Sequence, residues 1–350
     1  MSSEPIYEIR AIQEIKSSYI LYLPKKWCVD NKISKGSKVL IKSSGRRLVI
    51  EALDREEEIV YVKIDDFDEK TLRYILISLY VLGYRYVRLE SKRIIDLKIR
   101  REIRKILRLL KSFEIYEEGK NFILMREVAE KSDLRILVSR EFNSVFYLIN
   151  TLRELLRERE IESKEVSKDL EEMSELDLDE LDTEIDIARL EIRRIHSRIT
   201  DDLRAAPNID PKTLFNLTMI SNILERIGDH ATESLRILLE RRNTINIESG
   251  RYSETIEEID KVSALISNYL NRLLDVVFGK TKELEEKELS RIIRELVDII
   301  EAKKEFRERI RRVMGGDPLL SYHITRIFDY ITDIAEYLID MYVEKFIVER

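Results

Sequence analysis

One cysteine, Cys28, is all that the sequence contains. An internal disulfide framework and a cysteine-rich zinc site are thereby excluded, and a reducing, cytosolic setting is expected. Glycine and proline are scarce too, 9 and 5 of 350 residues. Few helix breakers therefore interrupt a chain rich in Glu, Lys, Arg, Leu and Ile. No run of about 18 apolar residues occurs, so no membrane span is expected. The opening MSSEPIYEIR lacks the basic-then-apolar pattern of a signal peptide. No glycine-rich phosphate loop is present; Gly83 and Gly119 stand alone and suit turns or helix caps. No Ser/His/Asp or Cys/His spacing signals nucleophilic catalysis, so the chain is not expected to be an enzyme.

What is present is charge and apolar bulk. Apolar residues make up 44% of the chain, enough for a sizeable core, and 350 residues suit two or three domains. The 37% of charged residues, with little Cys or Met, resembles a thermophile composition. The net charge of −6 is unevenly spread: residues 1–50 hold ten basic and four acidic side chains, a net of +6, so the remainder carries −12. A basic head on an acidic body predicts that the head meets a polyanion and that the body meets cations.

The head reads as short strands. IYEIRAIQEI and SSYILYLPKKW alternate polar and apolar positions, and VLIK and RLVIEAL flank a hairpin turn at Ser44-Gly45. Pro24 suits the first turn of a short helix, PKKWCVDN. SSYILYLPKKW, ISKGSKVLIK and RRLVIEA resemble the AbrB (SpoVT-type) swapped-hairpin DNA-binding domain over residues 1–53, with Ser37 where that family has an acidic residue. The resemblance implies a homodimer, because each half lacks a core until a second chain interlocks with it. It also implies a basic surface for DNA. Arg10, Lys16, Lys25 and Lys26, nearest the family-like strands and turns, are the candidate phosphate contacts. Nothing signals base-specific readout.

Residues 54–130 read as a small α/β unit of βαβαββ order: strands EIVYVKI, YRYVRLE, FEIYEE and NFILMRE, and helices DEKTLRYILISLYVLG and IDLKIRREIRKILRLLK. Its expected role is a structural connector, with Tyr80, Tyr84 and Tyr86 packing rather than stacking on bases. Beyond Ser132 the pattern is helical, with predicted helices at 132–160, 176–205, 211–241, 252–279, 283–314 and 317–347 and a charged joint, IESKEVSKDLEEMSELD, after the first. Asp210-Pro211 and Asp317-Pro318 each supply an N-cap followed by proline at the first helical position; Gly315-Gly316 reinforces the second break. The expected fold is multidomain and mainly α: the swapped-hairpin domain, the α/β connector, and two three-helix-bundle repeats, at 131–245 and 246–350.

Carboxylates four apart share a helix face. Asp182 and Asp186, Glu225 and Asp229, and Asp329 and Asp333 are such pairs, each flanked by apolar residues. Burying like charges is costly unless a cation or an arginine compensates, and oxygen ligands from facing helices suit a hard or borderline cation. A solvated face is the competing explanation for each pair. The mid-helix Gly228 suggests close helix approach or room for a ligand. LERIGDHATE with LDTEIDIARLEI resembles the PhoU family of phosphate-uptake regulators over residues 132–350. That resemblance implies two repeats with E(D)xxxD motifs binding iron or zinc: Asp182, Asp186, Glu225 and Asp229 in the first, Glu301, Asp329 and Asp333 in the second. The second departs from the pattern, with Val297 opposite Asp182, Thr332 opposite Gly228 and Ile334 opposite His230. The absence of any Glu-x-x-His argues against a di-iron oxidase. His196, His230 and His323 are hydrogen-bonding residues or ligands. The expected function is a cytoplasmic regulator of phosphate homeostasis. Its implied partners are DNA and the phosphate ABC transporter or its signalling kinase. A dimeric adaptor that does not touch DNA and a carboxylate-bridged metal enzyme stand as alternatives.

Overall fold

The structure, a computed structural model, describes residues 8–44, 47–53, 59–128, 133–160, 175–201, 209–240, 251–280, 284–313 and 317–348. In the head, β1 (Gln13–Ile15) and β2 (Ser18–Ile20) form an antiparallel hairpin. Its two-residue turn puts Lys16 and Ser17 at positive φ, 49° and 67°, the backbone of a type I′ turn. Helix α1 (Lys25–Asp30) follows, with Pro24 as its N-cap and not its first residue. β3 (Val39–Ser44) pairs with β4 (Arg47–Ala52) as expected, although Gly45 of the connecting turn lies outside the described residues. The two hairpins belong to separate two-stranded sheets. Of the described side chains in residues 8–53, only Glu51 and Ala52 are buried.

The next unit follows the order read from the sequence: β5 (Ile59–Lys63), α2 (Glu69–Val81), β6 (Tyr86–Glu90), α3 (Leu97–Leu107), β7 (Phe113–Glu118) and β8 (Phe122–Glu127). The sheet order is β5-β6-β8-β7, with β5 and β6 parallel and the other pairs antiparallel. Asp68 and Asp96 cap the helices by accepting from Thr71 and Ile99 backbone N–H groups at 2.7 and 2.9 Å. Leu72, Leu76, Tyr80, Val87, Ile103 and Met125 fill the core, and Leu190 of a later helix completes it.

Among the described residues, seven further helices build the body: α4 (Leu134–Glu160), α5 (Glu175–Asp201), α6 (Pro211–Glu240), α7 (Arg251–Val277), α8 (Glu286–Glu301), α9 (Lys303–Val313) and α10 (Pro318–Val343). A π-helical turn, Glu344–Val348, follows the last. Both Asp-Pro starts behave as read: Asp210 accepts from Thr213 N at 2.8 Å and Asp317 from Leu320 N at 3.1 Å. The predicted single helix over 283–314 is instead two, α8 and α9, broken at Ala302. Neither glycine nor proline marks the break. Tertiary packing explains it: the bend lets Leu289, Ile292, Leu296 and Ile299 of α8, and Phe306 and Ile310 of α9, all bury, with Phe306 stacked on Phe328 of α10 at 3.8 Å between centroids. The predicted helix ends at 132, 205, 241, 283 and 314, most of the charged joint, Gly315-Gly316, and the boundaries at 54, 130–131 and 245–246 lie outside the described residues.

Helices α4, α5 and α6 pack on one another, α10 packs along α6, and α7 packs on α4. Arg135–Asp275, Arg153–Asp260 and Arg157–Glu257 ion pairs tie α4 to α7. One apolar cluster runs through all seven helices. Among the described residues no helix is long and apolar enough to cross a membrane.

Candidate functional site

Helix α5 has two working faces. One docks on the α/β unit. There Arg194, 1% exposed, donates to the carbonyls of Tyr80 (2.6 Å) and Tyr84 (3.0 Å) and to Glu127 Oε1 (2.9 Å). Its guanidinium also lies over the Tyr80 and Phe113 rings, 4.7 and 4.8 Å from their centroids. Arg198 pairs with the same Glu127 carboxylate, and Glu191 accepts from the Tyr80 hydroxyl and from Ser112 Oγ at 2.7 Å. Burial, then the Glu191 carboxylate, push the Tyr80 phenol well up, so it stays a donor. Tyr80 is thus a packing and anchoring residue. Gly83 is required here twice over: its φ is +85°, and a Cβ would stand 2.9 Å from Arg198 Cγ.

The other face of α5 meets α6 through the carboxylates. Asp186 and Glu225 share one cation of the protein's own: Arg189 Nη2 lies 2.7 Å from Asp186 Oδ1 and 3.2 Å from Glu225 Oε1. Asp182 and Asp229 have no ion-pair partner among the described residues. Desolvation, followed by Asp229 and Asp186, pushes Asp182 up to about 6. Desolvation, followed by Glu225 and Asp186, pushes Asp229 up to about 6. Glu225 is raised by desolvation, with Arg189 pulling it back down. The four acids predicted for the first group therefore come together, and they hold more negative charge than Arg189 compensates. Gly228 marks close helix approach: a Cβ there would reach Ile185 Cδ1 of α5 at 2.9 Å.

A fifth carboxylate, unremarked in the sequence, lies behind them. Glu141 of α4 is 1% exposed, and among the described residues neither of its oxygens makes a hydrogen bond of normal geometry, although the Ser221 hydroxyl is close enough to act on it. Burial drives it well above the usual carboxylate range; Ser221 and Arg189 act against that rise, and Glu225 and Asp186 add to it. Its signal was available, since Glu141 falls in step with Val138, Phe142 and Val145 on the apolar stripe of α4. Arg189, one turn beyond Asp186, was legible in the same way.

The second group differs. Asp329, 3% exposed, accepts from Arg307 Nε at 2.8 Å and Arg326 Nη1 at 3.2 Å, and Asp333 Oδ1 accepts from Lys303 Nζ at 3.0 Å. After the break at Ala302, the α9 residues that meet these acids are basic, while Glu301 is exposed at the end of α8. By residue type the first group, with five carboxylates, offers the oxygen ligands that a hard cation takes; the acids of the second are already neutralised. Among the described residues, no group of three or more His, Cys, Asp or Glu side chains is placed to hold a metal ion. In the first group Arg189 stands between Asp186 and Glu225.

The histidines are structural in different ways. His196 Nδ1 lies 2.9 Å from Thr218 Oγ1. His230 and His323 meet across α6 and α10, Nδ1 to Nδ1 at 2.8 Å, and His230 stacks on Tyr330. Desolvation, then His323 and the nearby Arg326 and Arg226, push His230 down to about 4, so this pair is neutral at pH 7.

In the head, Lys16 sits on the β1–β2 turn and Lys25 and Lys26 open α1, all three exposed. Arg10 is tied to Glu8. Ile12, Ile15, Tyr19, Tyr22, Ile41 and Leu48 are exposed as well. Compared with known proteins, the chain matches no family model and no curated protein.

Proposed function

We propose that the protein is a PhoU-like regulator of phosphate homeostasis: a cytoplasmic homodimer, not an enzyme, whose helical body binds iron or zinc at the first carboxylate group and whose head binds DNA. The observation that carries the cation half is the gathering of four carboxylates by α5 and α6 around one bridging arginine, Arg189, with Arg226 and Arg236 acting on Asp229 and Asp182 only at longer range. Asp182, Asp186, Glu225 and Asp229 would hold the ion, which would supply positive charge and join α5 to α6. The word phosphate comes from the resemblance of LERIGDHATE and LDTEIDIARLEI to the PhoU family. The same resemblance suggests the phosphate ABC transporter or its signalling kinase as protein partners.

For the head, the supporting observation is the lack of a core. An isolated two-stranded hairpin is marginal in water, and here two of them expose Ile12, Ile15, Ile41 and Leu48. A second copy interlocking with the first would bury these side chains and set two clusters of Lys16, Lys25 and Lys26 in one surface. Sedimentation is expected to show a dimer. Gel shifts with genomic fragments are expected to show binding at low salt that fades steeply as salt rises. The triple variant K16E/K25E/K26E should bind about tenfold more weakly or worse at ~0.1 M salt. No binding by the wild type even at the lowest salt would sink the DNA-binding half and favour a dimeric adaptor. Fragments recovered from cells test the phosphate link directly, through the genes beside them.

A further inference from the structure

The interior wedge between α4, α5 and α6 holds buried polar atoms that lack a hydrogen bond of normal geometry among the described residues: both carboxyl oxygens of Glu141, the Ser221 hydroxyl that acts on Glu141 at longer range, and Nε of Arg189. Leaving one buried donor or acceptor unsatisfied costs about 1–3 kcal/mol, so such a concentration calls for a partner that arrives in another state of the protein. The outward side of the same wedge is arranged in the opposite sense. There the Arg189 guanidinium is engaged with Asp186 and Glu225, while Asp182 and Asp229 have no ion pair among the described residues.

We infer that Arg189 is a displaceable counter-ion: it takes the place of a divalent cation between Asp186 and Glu225, and Glu141 is the inner carboxylate that receives it when a cation binds. This rests on the cation reading of the first carboxylate group and adds a built-in competitor to it. Three features fit. Glu141, held neutral by burial, is acted on by Arg189 already, and it would release its proton to solvent as the guanidinium arrives. Arg189 has an unused Nε–H buried in the same wedge. A guanidinium fork suits either carboxylate setting, bridging two acids on the outside or pairing with one inside. In the inner position Arg189 would neutralise the one fully buried carboxylate of the cluster. The outer four acids would then be rid of the bridging guanidinium, with Arg226 and Arg236 left at longer range. Glu141 and Arg189 are positioning residues in this scheme, and the cation's ligands remain the outer acids. Because α5 carries both Arg189 and the Arg194 anchor, movement of Arg189 would be felt on the helix that docks the α/β unit.

The test is calorimetric titration of the full-length, chelator-stripped protein with Mn2+ alone, in wild type, R189Q, E141Q and the double variant. Removing the competitor should tighten Mn2+ binding about tenfold in R189Q, and removing the receptor should weaken it about fivefold in E141Q. In the R189Q background, E141Q should change affinity by less than about twofold, the non-additivity that marks two residues acting as one device. If R189Q does not fold, R189K replaces it: it keeps a charge but cannot fork across two acids, and about threefold tightening is expected. Wild-type binding with R189Q equal or weaker overturns the inference alone. So does an E141Q loss that persists in the R189Q background, which would make Glu141 a direct ligand. No Mn2+ uptake by any variant, R189Q included, overturns the underlying cation reading and the inference with it.

Discussion

Replacing Arg194 with methionine is expected to destabilise the protein by about 3–5 kcal/mol, the usual consequence of removing one partner of a buried ionic network. The side chain is 1% exposed and supplies hydrogen bonds to two carbonyls and one carboxylate. Methionine fills much of the volume but supplies none of these bonds. The carbonyls of Tyr80 and Tyr84 are then buried without this donor, and Glu127 keeps only Arg198 and the more distant Arg85. The midpoint of thermal unfolding should fall by roughly 10 °C, and hydrogen exchange of β6 and β8 should accelerate before that of α6. As a control, Arg88→Ala removes a partly exposed pair with Glu90 and should cost no more than about 1 kcal/mol. A loss as small for Arg194→Met would mean that the α/β unit is not anchored through α5.

The second large effect concerns pH. Asp182 and Asp229 titrate near 6 in the folded protein against about 3.9 when unfolded. Between those values the folded state binds more protons than the unfolded state, so this pair makes stability fall as pH rises from about 4 to about 6. Above that the penalty is complete and constant; below both values it vanishes. Asp182→Asn with Asp229→Asn should therefore raise the stability of the cation-free protein above pH 6, by ~1 kcal/mol once solvent screening is allowed for. The thermal midpoint should rise by about 2–4 °C and by almost nothing at pH 4. Adding a divalent cation should stabilise the wild type above about pH 6 and leave the double variant unmoved. A variant that is destabilised at every pH would show that the two acids stabilise the fold through favourable contacts and are not held at a cost.

Much of this was legible in the chain. Asp210-Pro211 and Asp317-Pro318 are local signals, needing only a side-chain cap and a fixed φ, and both helices start there. The βαβαββ order followed from alternation and helical spacing, whereas the caps at Asp68 and Asp96 emerged only from the structure. The pairing of Asp182 and Asp186 with Glu225 and Asp229 followed from spacing and the motif resemblance together. What escaped is set by tertiary contact. The break at Ala302 has no local signal, because it serves packing on α10. Lys303, Arg307 and Arg326 turned Asp329 and Asp333 into ion-pair partners, and no spacing rule says which helix face will meet them. Glu141 and Arg189 were visible as polar residues in step with apolar stripes, but their convergence with α6 depends on how three helices cross.

The most direct test of the cation site is the metal content of protein purified without chelator. The wild type is expected to carry a transition metal. Glu225→Ala with Asp229→Ala should lose it, whereas Asp329→Asn with Asp333→Asn should keep it. A metal-free wild type that also takes up none on addition, or unchanged content in the Glu225/Asp229 variant, would contradict a cation site between α5 and α6.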